Sequence, residues 1–190
     1  MSCQKPFHEE TERYVLVATN VNLPYWQEAQ AGLKDAGRAL GVQVEFTGPD
    51  SYDPEGQLEF FRKAVAGRPS GILISPTRPE MFNKDIDAAV QAGIPVICVD
   101  SDAPNSRRIL FIGTDNYQAG LEGGRRMAEL LKGRGNIALI TIPGQLNTEE
   151  RLRGVNEVLK GYPAIKVVKT FDDKGDPRIA NDYISKAVEA

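Results

Sequence analysis

The sequence predicts an α/β protein with a doubly wound, mainly parallel sheet. Short apolar runs rich in Val, Ile and Leu alternate with amphipathic segments in which apolar residues recur every three or four positions. A glycine follows most of the amphipathic segments, where a left-handed residue can satisfy the last carbonyl groups of a helix. Strands that alternate with helices through short connections form parallel sheets with right-handed crossovers.

The predicted elements alternate from the first apolar run to the end of the chain. Predicted strands span residues 13–19, 42–46, 71–74, 94–99, 109–112, 137–142 and 165–171. Predicted helices span residues 24–40, 54–66, 80–91, 116–132, 149–160 and 177–189. The glycines expected to follow helices in the left-handed conformation are Gly41, Gly67, Gly93, Gly133 and Gly161.

The elements fall into a polar leader at 1–12, an N-terminal α/β lobe at 13–115 and the first part of a C-terminal α/β lobe at 116–190. Few strands are predicted after residue 116, whereas parallel sheets normally contain more strands, covered by helices on both faces. We therefore expect a truncated second lobe, or one that another chain completes. Exchange of matching elements between two copies would then give a homodimer.

Composition argues against several classes of function. The chain has 190 residues and a formal net charge of -3, so a broad basic surface for nucleic acid is not expected. No apolar run approaches the length of a membrane span. The cysteines Cys3 and Cys98 do not make a disulfide framework, and Cys98 is expected to be a core residue. Because His8 is the single histidine, histidine-based catalysis and multi-histidine metal sites are disfavoured.

Enzyme signatures are weak. The glycines between Gly120 and Gly124 fall inside a predicted helix, where they favour close helix packing over a dinucleotide fingerprint. The acidic pair Asp172-Asp173 is adjacent in sequence, which suits solvent exposure or capping. Since no catalytic base is in prospect, we predict a protein that is not an enzyme and that uses no cofactor and no metal.

An aromatic pair, Tyr25 and Trp26, follows the first predicted strand near its carboxyl end. Asn22 can cap the next helix, and Pro24 suits an early helical position because its missing N–H would be unpaired there. In open α/β sheets, ligands bind at this edge. We therefore predict that at least one of the two rings is a platform for a flat, partly apolar ligand.

Polar residues at other strand ends can serve a hydroxyl-rich ligand. Asp100 follows an apolar strand, and its carboxylate can accept two hydroxyl groups. The alternative is a turn or cap residue, because residues 101–104 are rich in turn formers. Arg151 and Arg153 are expected in the first turns of the helix at 149–160, where a guanidinium can fork onto vicinal oxygens. Their alternative is a solvated helix face.

Together these motifs resemble the type I periplasmic sugar-binding proteins, the ribose-binding-protein-like family that also supplies the effector domains of LacI-type regulators. The resemblance extends over residues 14–190. It rests on segments that occur in the order of the family: Asn22-Leu23-Pro24-Tyr25-Trp26, Gly71-Ile72-Leu73-Ile74-Ser75-Pro76, Ala92-Gly93-Ile94-Pro95-Val96-Ile97-Cys98-Val99-Asp100, Ile112-Gly113-Thr114-Asp115-Asn116 and Glu150-Arg151-Leu152-Arg153-Gly154.

The resemblance implies flavodoxin-like lobes that close over one monosaccharide without catalysis and are joined near residues 114–116. It implies that aromatic rings stack on the sugar and that Asp100 and Arg153 bind its hydroxyl groups. The implied ligand-binding residues are Asn22, Tyr25, Trp26, Ser75, Asp100, Ser101, Thr114 and Arg153. Ser101 stands where ribose binders often carry arginine, and Leu23 where they often carry asparagine, which argues against ribose itself.

The function implied by the resemblance is that of the solute-binding protein of an ABC-type sugar importer. Its partners would be a monosaccharide and an ABC permease at the membrane, in the periplasm or cell envelope, with no nucleic acid. The alternative is a sugar-sensing effector domain of a LacI-type regulator or a receptor. Residues 1–12 are too few for a helix-turn-helix, which favours the importer. Cys3 is either a lipid-accepting cysteine or an incidental residue at an arbitrary chain start, and both interpretations stay open.

Overall fold

The computed structural model describes residues 7–189. The chain forms two compact units that divide between Ile112 and Gly113. The boundary predicted from the sequence falls between residues 115 and 116, and the assignment of the two units as functional lobes stays a prediction. Within the described range, no helix is both long and apolar enough to cross a membrane.

The first unit alternates strands and helices as predicted. Its elements are β1 (Arg13–Val17), α1 (Pro24–Leu40), β2 (Gln43–Thr47), α2 (Pro54–Ala66), β3 (Gly71–Ile74), α3 (Pro79–Gln91), β4 (Val96–Val99) and β5 (Leu110–Ile112). The strands form one five-stranded parallel sheet in the order β2-β1-β3-β4-β5. This order confirms the doubly wound parallel sheet that the sequence predicts.

Strand β1 pairs with both β2 and β3, and its two faces are covered by different helices. Val17 packs in one apolar cluster with Phe61 of α2. Leu16 packs in another cluster with Trp26 of α1. Because successive strand residues point to opposite faces of a sheet, α2 covers one face of β1 and α1 covers the other.

The strand order creates a switch point at the carboxyl ends of β1 and β3. From β1 the chain passes through α1 to β2 on one side, and then through α2 to β3 on the other side. In open α/β sheets, ligands bind outside the strand ends at such a switch point. Residues that follow β1, β3 and β4 therefore meet at this edge.

The second unit contains α4 (Asn116–Leu130), β6 (Gly135–Thr141), α5 (Leu146–Leu159), β7 (Ile165–Asp172) and α6 (Pro177–Glu189). Strands β6 and β7 pair in parallel as a two-stranded sheet, with a register shift between Ile137 and Ala138. A small apolar cluster joins α4 to this sheet through Ala128, Ile137 and Ile165.

Glycines allow α4 and α5 to approach each other closely. A Cβ atom on Gly120 would lie 2.1 Å from the carbonyl oxygen of Arg151, and one on Gly154 would lie 2.3 Å from the carbonyl oxygen of Tyr117. Side chains at these positions would clash with the facing backbone, so the glycines set the distance between the helices. This confirms the close packing predicted for Gly120, whereas the Cβ position of Gly123 has nothing within 4 Å.

Replacing Gly120 by alanine is expected to destabilise the second unit by about 1–3 kcal/mol, because the added methyl group forces the α4 and α5 backbones apart. Replacing Gly123 by alanine is the matched control. It is expected to stabilise the unit by about 0.5–1 kcal/mol, because alanine lowers the conformational entropy of the unfolded chain and meets no neighbour in the folded one. Urea unfolding of both variants measures the difference, and equal effects would contradict the packing described.

Predictions about two helix ends are wrong. Three of the five predicted glycines take the left-handed conformation: Gly41, Gly93 and Gly133. Gly67, however, has a φ of -74°, and the following residue, Arg68, takes the left-handed turn with a φ of 48°. Gly161 does not have a positive φ either. Helices α2 and α5 thus end without a left-handed glycine, because their C-cap residues, Gly67 and Lys160, keep α-helical backbone angles.

Helix α5 begins at Leu146, earlier than the position predicted from the sequence. The hydroxyl group of Thr148 donates to the carbonyl oxygens of Ile142 and Gln145, each 2.9 Å away. The carboxylate of Glu149 accepts from the backbone N–H of Gly144 at 2.8 Å. These bonds stabilise an earlier helix start, so Arg151 and Arg153 lie about one turn further into the helix than predicted.

Candidate functional site

Asp100 lies directly after β4 in a strained turn. Its φ is 64°, and the N–H of Ser101 donates to the carbonyl oxygen of Val99 at 2.7 Å across it. A bond of this span around a residue with positive φ defines a rare, strained form of γ-turn. Asp100 is therefore a turn residue, one of the two interpretations that its sequence leaves open. Backbone strain of this kind clusters at functional sites, which also makes Asp100 a candidate site residue.

The structure brings three of the predicted site residues together by hydrogen bonds. The hydroxyl group of Tyr25 donates to Oδ1 of Asp100 at 3.0 Å. The hydroxyl group of Ser75, which follows β3, donates to Oδ2 of the same carboxylate at 3.3 Å. Residues that follow β1, β3 and β4 thus converge on one carboxylate at the switch point of the sheet.

The two rings of the aromatic pair have different environments. The side chain of Trp26 is only 4% exposed and packs with Leu16 and Ala18, whereas Tyr25 is 60% exposed. Their rings meet edge to face with centroids 5.2 Å apart. Trp26 therefore packs as a core residue, and its role in ligand binding stays a prediction. Tyr25 is the ring that solvent, and hence a ligand, can reach.

Asn22 does not cap α1, contrary to the prediction. The N-cap residue is Leu23, which makes no capping bond with its side chain. The side-chain amide of Asn22 instead donates to the carbonyl oxygen of Asp50 at 3.0 Å, and its N–H donates to Oδ1 of Asn20 at 2.8 Å. Asn22 therefore ties the corner after β1 to the segment that follows β2.

Ser101 is predicted to contact a ligand, but its side chain is buried. It is 1% exposed, and within the described part of the chain its hydroxyl group has no hydrogen-bond partner. Ser101 thus differs from Asp100, its neighbour in the same turn, which is partly exposed. The ligand role that the resemblance implies for Ser101 stays a prediction.

The segment after Asp100 is held by an ion pair. The guanidinium of Arg108 donates to both carboxylate oxygens of Asp102, with Nη2 lying 2.7 Å from Oδ2. This bond raises the pKa of Arg108. In the strand below, burial raises the pKa of the Cys98 thiol to about 11, which agrees with its predicted role as a core residue. The edge of the site thus lies beside an ion-paired segment and a buried strand.

In the second unit, two arginines of α5 contact residues of α4. Nε of Arg151 donates to Oδ1 of Asn116 at 2.7 Å, and the amide of Asn116 donates to the carbonyl oxygen of Thr114 at 3.0 Å. The guanidinium of Arg153 lies 4.8 Å from the ring centroid of Tyr117, a cation–π distance. Neither arginine is simply a solvated charge, and the ligand roles of Thr114 and Arg153 stay predictions.

One buried polar residue near the site was missed by sequence reasoning. Gln57 of α2 is 0% exposed and makes hydrogen bonds with the chain beyond the ends of β1 and β3. A signal was present in the sequence, because Gln57 lies one helical turn before Phe61 and so on the same apolar face of α2. A polar residue on a buried face needs partners, and this one finds them at the switch point.

The arrangement suits the binding of a polar ligand. Among residues 7–189, no three histidine, cysteine, aspartate or glutamate side chains are grouped so that they could hold a metal ion. An exposed aromatic ring beside an oriented carboxylate can accept a ligand that carries both C–H surfaces and hydroxyl groups. This combination is found at the edge of the first unit.

The family described as "Periplasmic binding protein domain" matches residues 14–189 of the chain. Among curated proteins, the xylose/arabinose-binding protein XylF of Sulfolobus acidocaldarius is 28% identical over an alignment of 178 positions, and the match covers 88% of this chain and 44% of that protein. The chain thus spans less than half the length of this relative.

Solved structures agree with this match. A sugar-binding protein of a sugar ABC transporter from Bacillus halodurans has a TM-score of 0.77 and 39% identity, covering 94% of this chain and 62% of its own. An ABC transporter solute-binding protein from Burkholderia graminis, in complex with D-arabinose, has a TM-score of 0.89 and 28% identity, covering 96% of this chain and 63% of its own. The chain therefore belongs to the type I periplasmic binding protein family, as its sequence motifs implied.

Proposed function

We propose that this protein is the solute-binding component of an ABC-type sugar importer and binds a monosaccharide without catalysis. The observation that carries the proposal is the carboxylate of Asp100, which Tyr25 and Ser75 hold at the switch point of the sheet. A carboxylate accepts up to about four hydrogen bonds, so sugar hydroxyl groups can share it with these donors. Charge-assisted bonds of this kind are the strong ones in sugar recognition.

The class of ligand is supported by the relatives. The XylF protein is named for xylose and arabinose, and the Burkholderia protein was solved with D-arabinose. We propose a pentose or a similar monosaccharide, with the exposed ring of Tyr25 against its C–H face. Arg153 and Thr114 of the second unit are proposed to bind the sugar as well, as the resemblance implies.

Transport requires a partner and a place in the cell. In our proposal, sugar binding shifts an equilibrium between open and closed forms, and a membrane permease recognises the closed form. The proposed location is the periplasm or cell envelope. Anchoring through Cys3 stays a proposal, since Cys3 lies outside the described residues. A homodimer built by exchange of second-lobe elements is likewise a proposal, which the molecular mass in solution would test.

A thermal-shift panel of monosaccharides on the full-length protein tests the proposed function. A ligand present at a hundred times its Kd stabilises the folded state by about 2.7 kcal/mol, which is a shift of several degrees. We expect such a shift with at least one pentose or hexose and none with a disaccharide of the same units. If no monosaccharide in the panel shifted the melting temperature, the proposal would be wrong.

A further inference from the structure

Gln57 makes an unusually complete set of hydrogen bonds for a buried side chain. Its Nε2 donates to the carbonyl oxygen of Ala18 at 3.1 Å and to that of Ser75 at 2.7 Å. Its Oε1 accepts from the backbone N–H of Thr77 at 3.0 Å and from the hydroxyl group of Thr77. One amide of α2 thus holds the chain beyond two different strands.

The position of these bonds explains why they are needed. Ala18 and Ser75 follow the last residues of β1 and β3, where the two strands end. The bond from the N–H of Ser75 to the carbonyl oxygen of Val17 is already long, at 3.4 Å. Beyond this bond, β1 and β3 no longer pair with each other. The amide of Gln57 then donates to the carbonyl oxygens of Ala18 and Ser75 in place of a neighbouring strand. Buried carbonyl groups without such a partner would be costly.

We propose that Gln57 is a positioning residue of the sugar site and acts through Ser75. The amide of Gln57 holds the backbone of Ser75 and so fixes the position of its side chain. The hydroxyl group of that side chain donates to Oδ2 of Asp100 at 3.3 Å. Gln57 is fully buried, so it cannot touch a ligand itself. This inference rests on the proposed function, since its effect is measured as sugar affinity.

Gln57→Met and Thr77→Val separate positioning from stability. Methionine fills the same space but donates to neither carbonyl group, whereas valine at 77 removes only the hydroxyl bond to Oε1 and leaves both Nε2 bonds intact. We expect Gln57→Met to weaken binding of the sugar that gives the largest thermal shift by tenfold or more, in calorimetry well below its melting temperature. Thr77→Val is expected to lower the melting temperature and to change affinity less than twofold.

A double-mutant cycle with Ser75→Ala tests whether Gln57 acts through Ser75. In the Ser75→Ala background, Gln57→Met is expected to cause no further loss of affinity. The inference would be overturned if the two single-variant losses of sugar affinity multiplied in the double variant, or if Gln57→Met bound the sugar as tightly as the wild type. Either result would leave the proposed function intact. A wild-type protein that binds no monosaccharide would overturn the proposed function itself, and the inference with it.

Hydrogen exchange in the wild-type protein tests the same link without a variant that must fold. Linkage requires that sugar binding stabilise whatever positions the site. The N–H of Thr77, which donates to Gln57, is therefore expected to exchange at least tenfold more slowly at sugar saturation. The N–H of Ile72, which donates to the carbonyl oxygen of Pro95 inside the sheet, is the internal control. Equal slowing at both residues would contradict the positioning role.

Discussion

Replacing Asp100 by asparagine is expected to weaken monosaccharide binding by at least about a hundredfold. A hydrogen bond to a charged group contributes about 1.5–3 kcal/mol, and every 1.4 kcal/mol corresponds to a tenfold change in Kd. The variant loses the charge that Tyr25 and Ser75 orient and, in our proposal, that two sugar hydroxyl groups contact. Isothermal titration calorimetry of the full-length variant measures the loss.

Asparagine is the right substitution because of the backbone at this position. Asp100 has a φ of 64°, which asparagine tolerates better than most residues, so the γ-turn survives the change. Alanine would add about 1–2 kcal/mol of backbone strain and confuse stability with binding. Asp35→Asn is the matched control, since it removes the same charge from an exposed position on α1. The account fails if Asp100→Asn binds sugar as tightly as Asp35→Asn does.

Truncating Trp26 to alanine is expected to destabilise the first unit by about 3–5 kcal/mol. The indole is buried against Leu16 and Ala18, so its removal opens a cavity between α1 and the sheet. Urea unfolding, followed by circular dichroism, measures the change in the free energy of unfolding.

Tyr25→Ala is the matched variant, because it truncates the adjacent ring. Since Tyr25 is exposed, we expect this change to cost less than about 1 kcal/mol of stability. It is expected to weaken sugar binding by about ten- to hundredfold, through the lost contact area of the ring. Opposite results, with Tyr25→Ala unfolding the unit and Trp26→Ala leaving it stable, would exchange the roles that we assign to the two rings.

Hydrophobic periodicity predicted the elements well because the helices are amphipathic and the central strands β1, β3 and β4 are largely buried. Helix α1, for instance, begins at Pro24 and ends at Leu40 as predicted. The start of α5 was misplaced because its first turn is stabilised by Thr148 and Glu149. Side-chain bonds to loop carbonyl and N–H groups leave no periodic signal.

The candidate site was predicted in part. Asp100, Ser75 and Tyr25 could be found because they follow strands whose carboxyl ends must share one edge of the sheet. The burial of Trp26 agrees with its helical spacing from Ala29 and Leu33, which pack against the same apolar cluster. Gln57 was missed although it lies on the apolar face of α2, because its partners at Ala18, Ser75 and Thr77 are far from it in sequence and leave no local pattern.

A crystal structure of the full-length protein with the sugar that gives the largest thermal shift would test the central claim most directly. We predict that at least one sugar hydroxyl group lies within about 2.5–3.0 Å of a carboxylate oxygen of Asp100, the usual distance of such a bond. The ring of Tyr25 is expected to lie against the C–H face of the sugar. A sugar bound away from the carboxyl ends of β1, β3 and β4, with Asp100 still bonded only within the protein, would contradict the account.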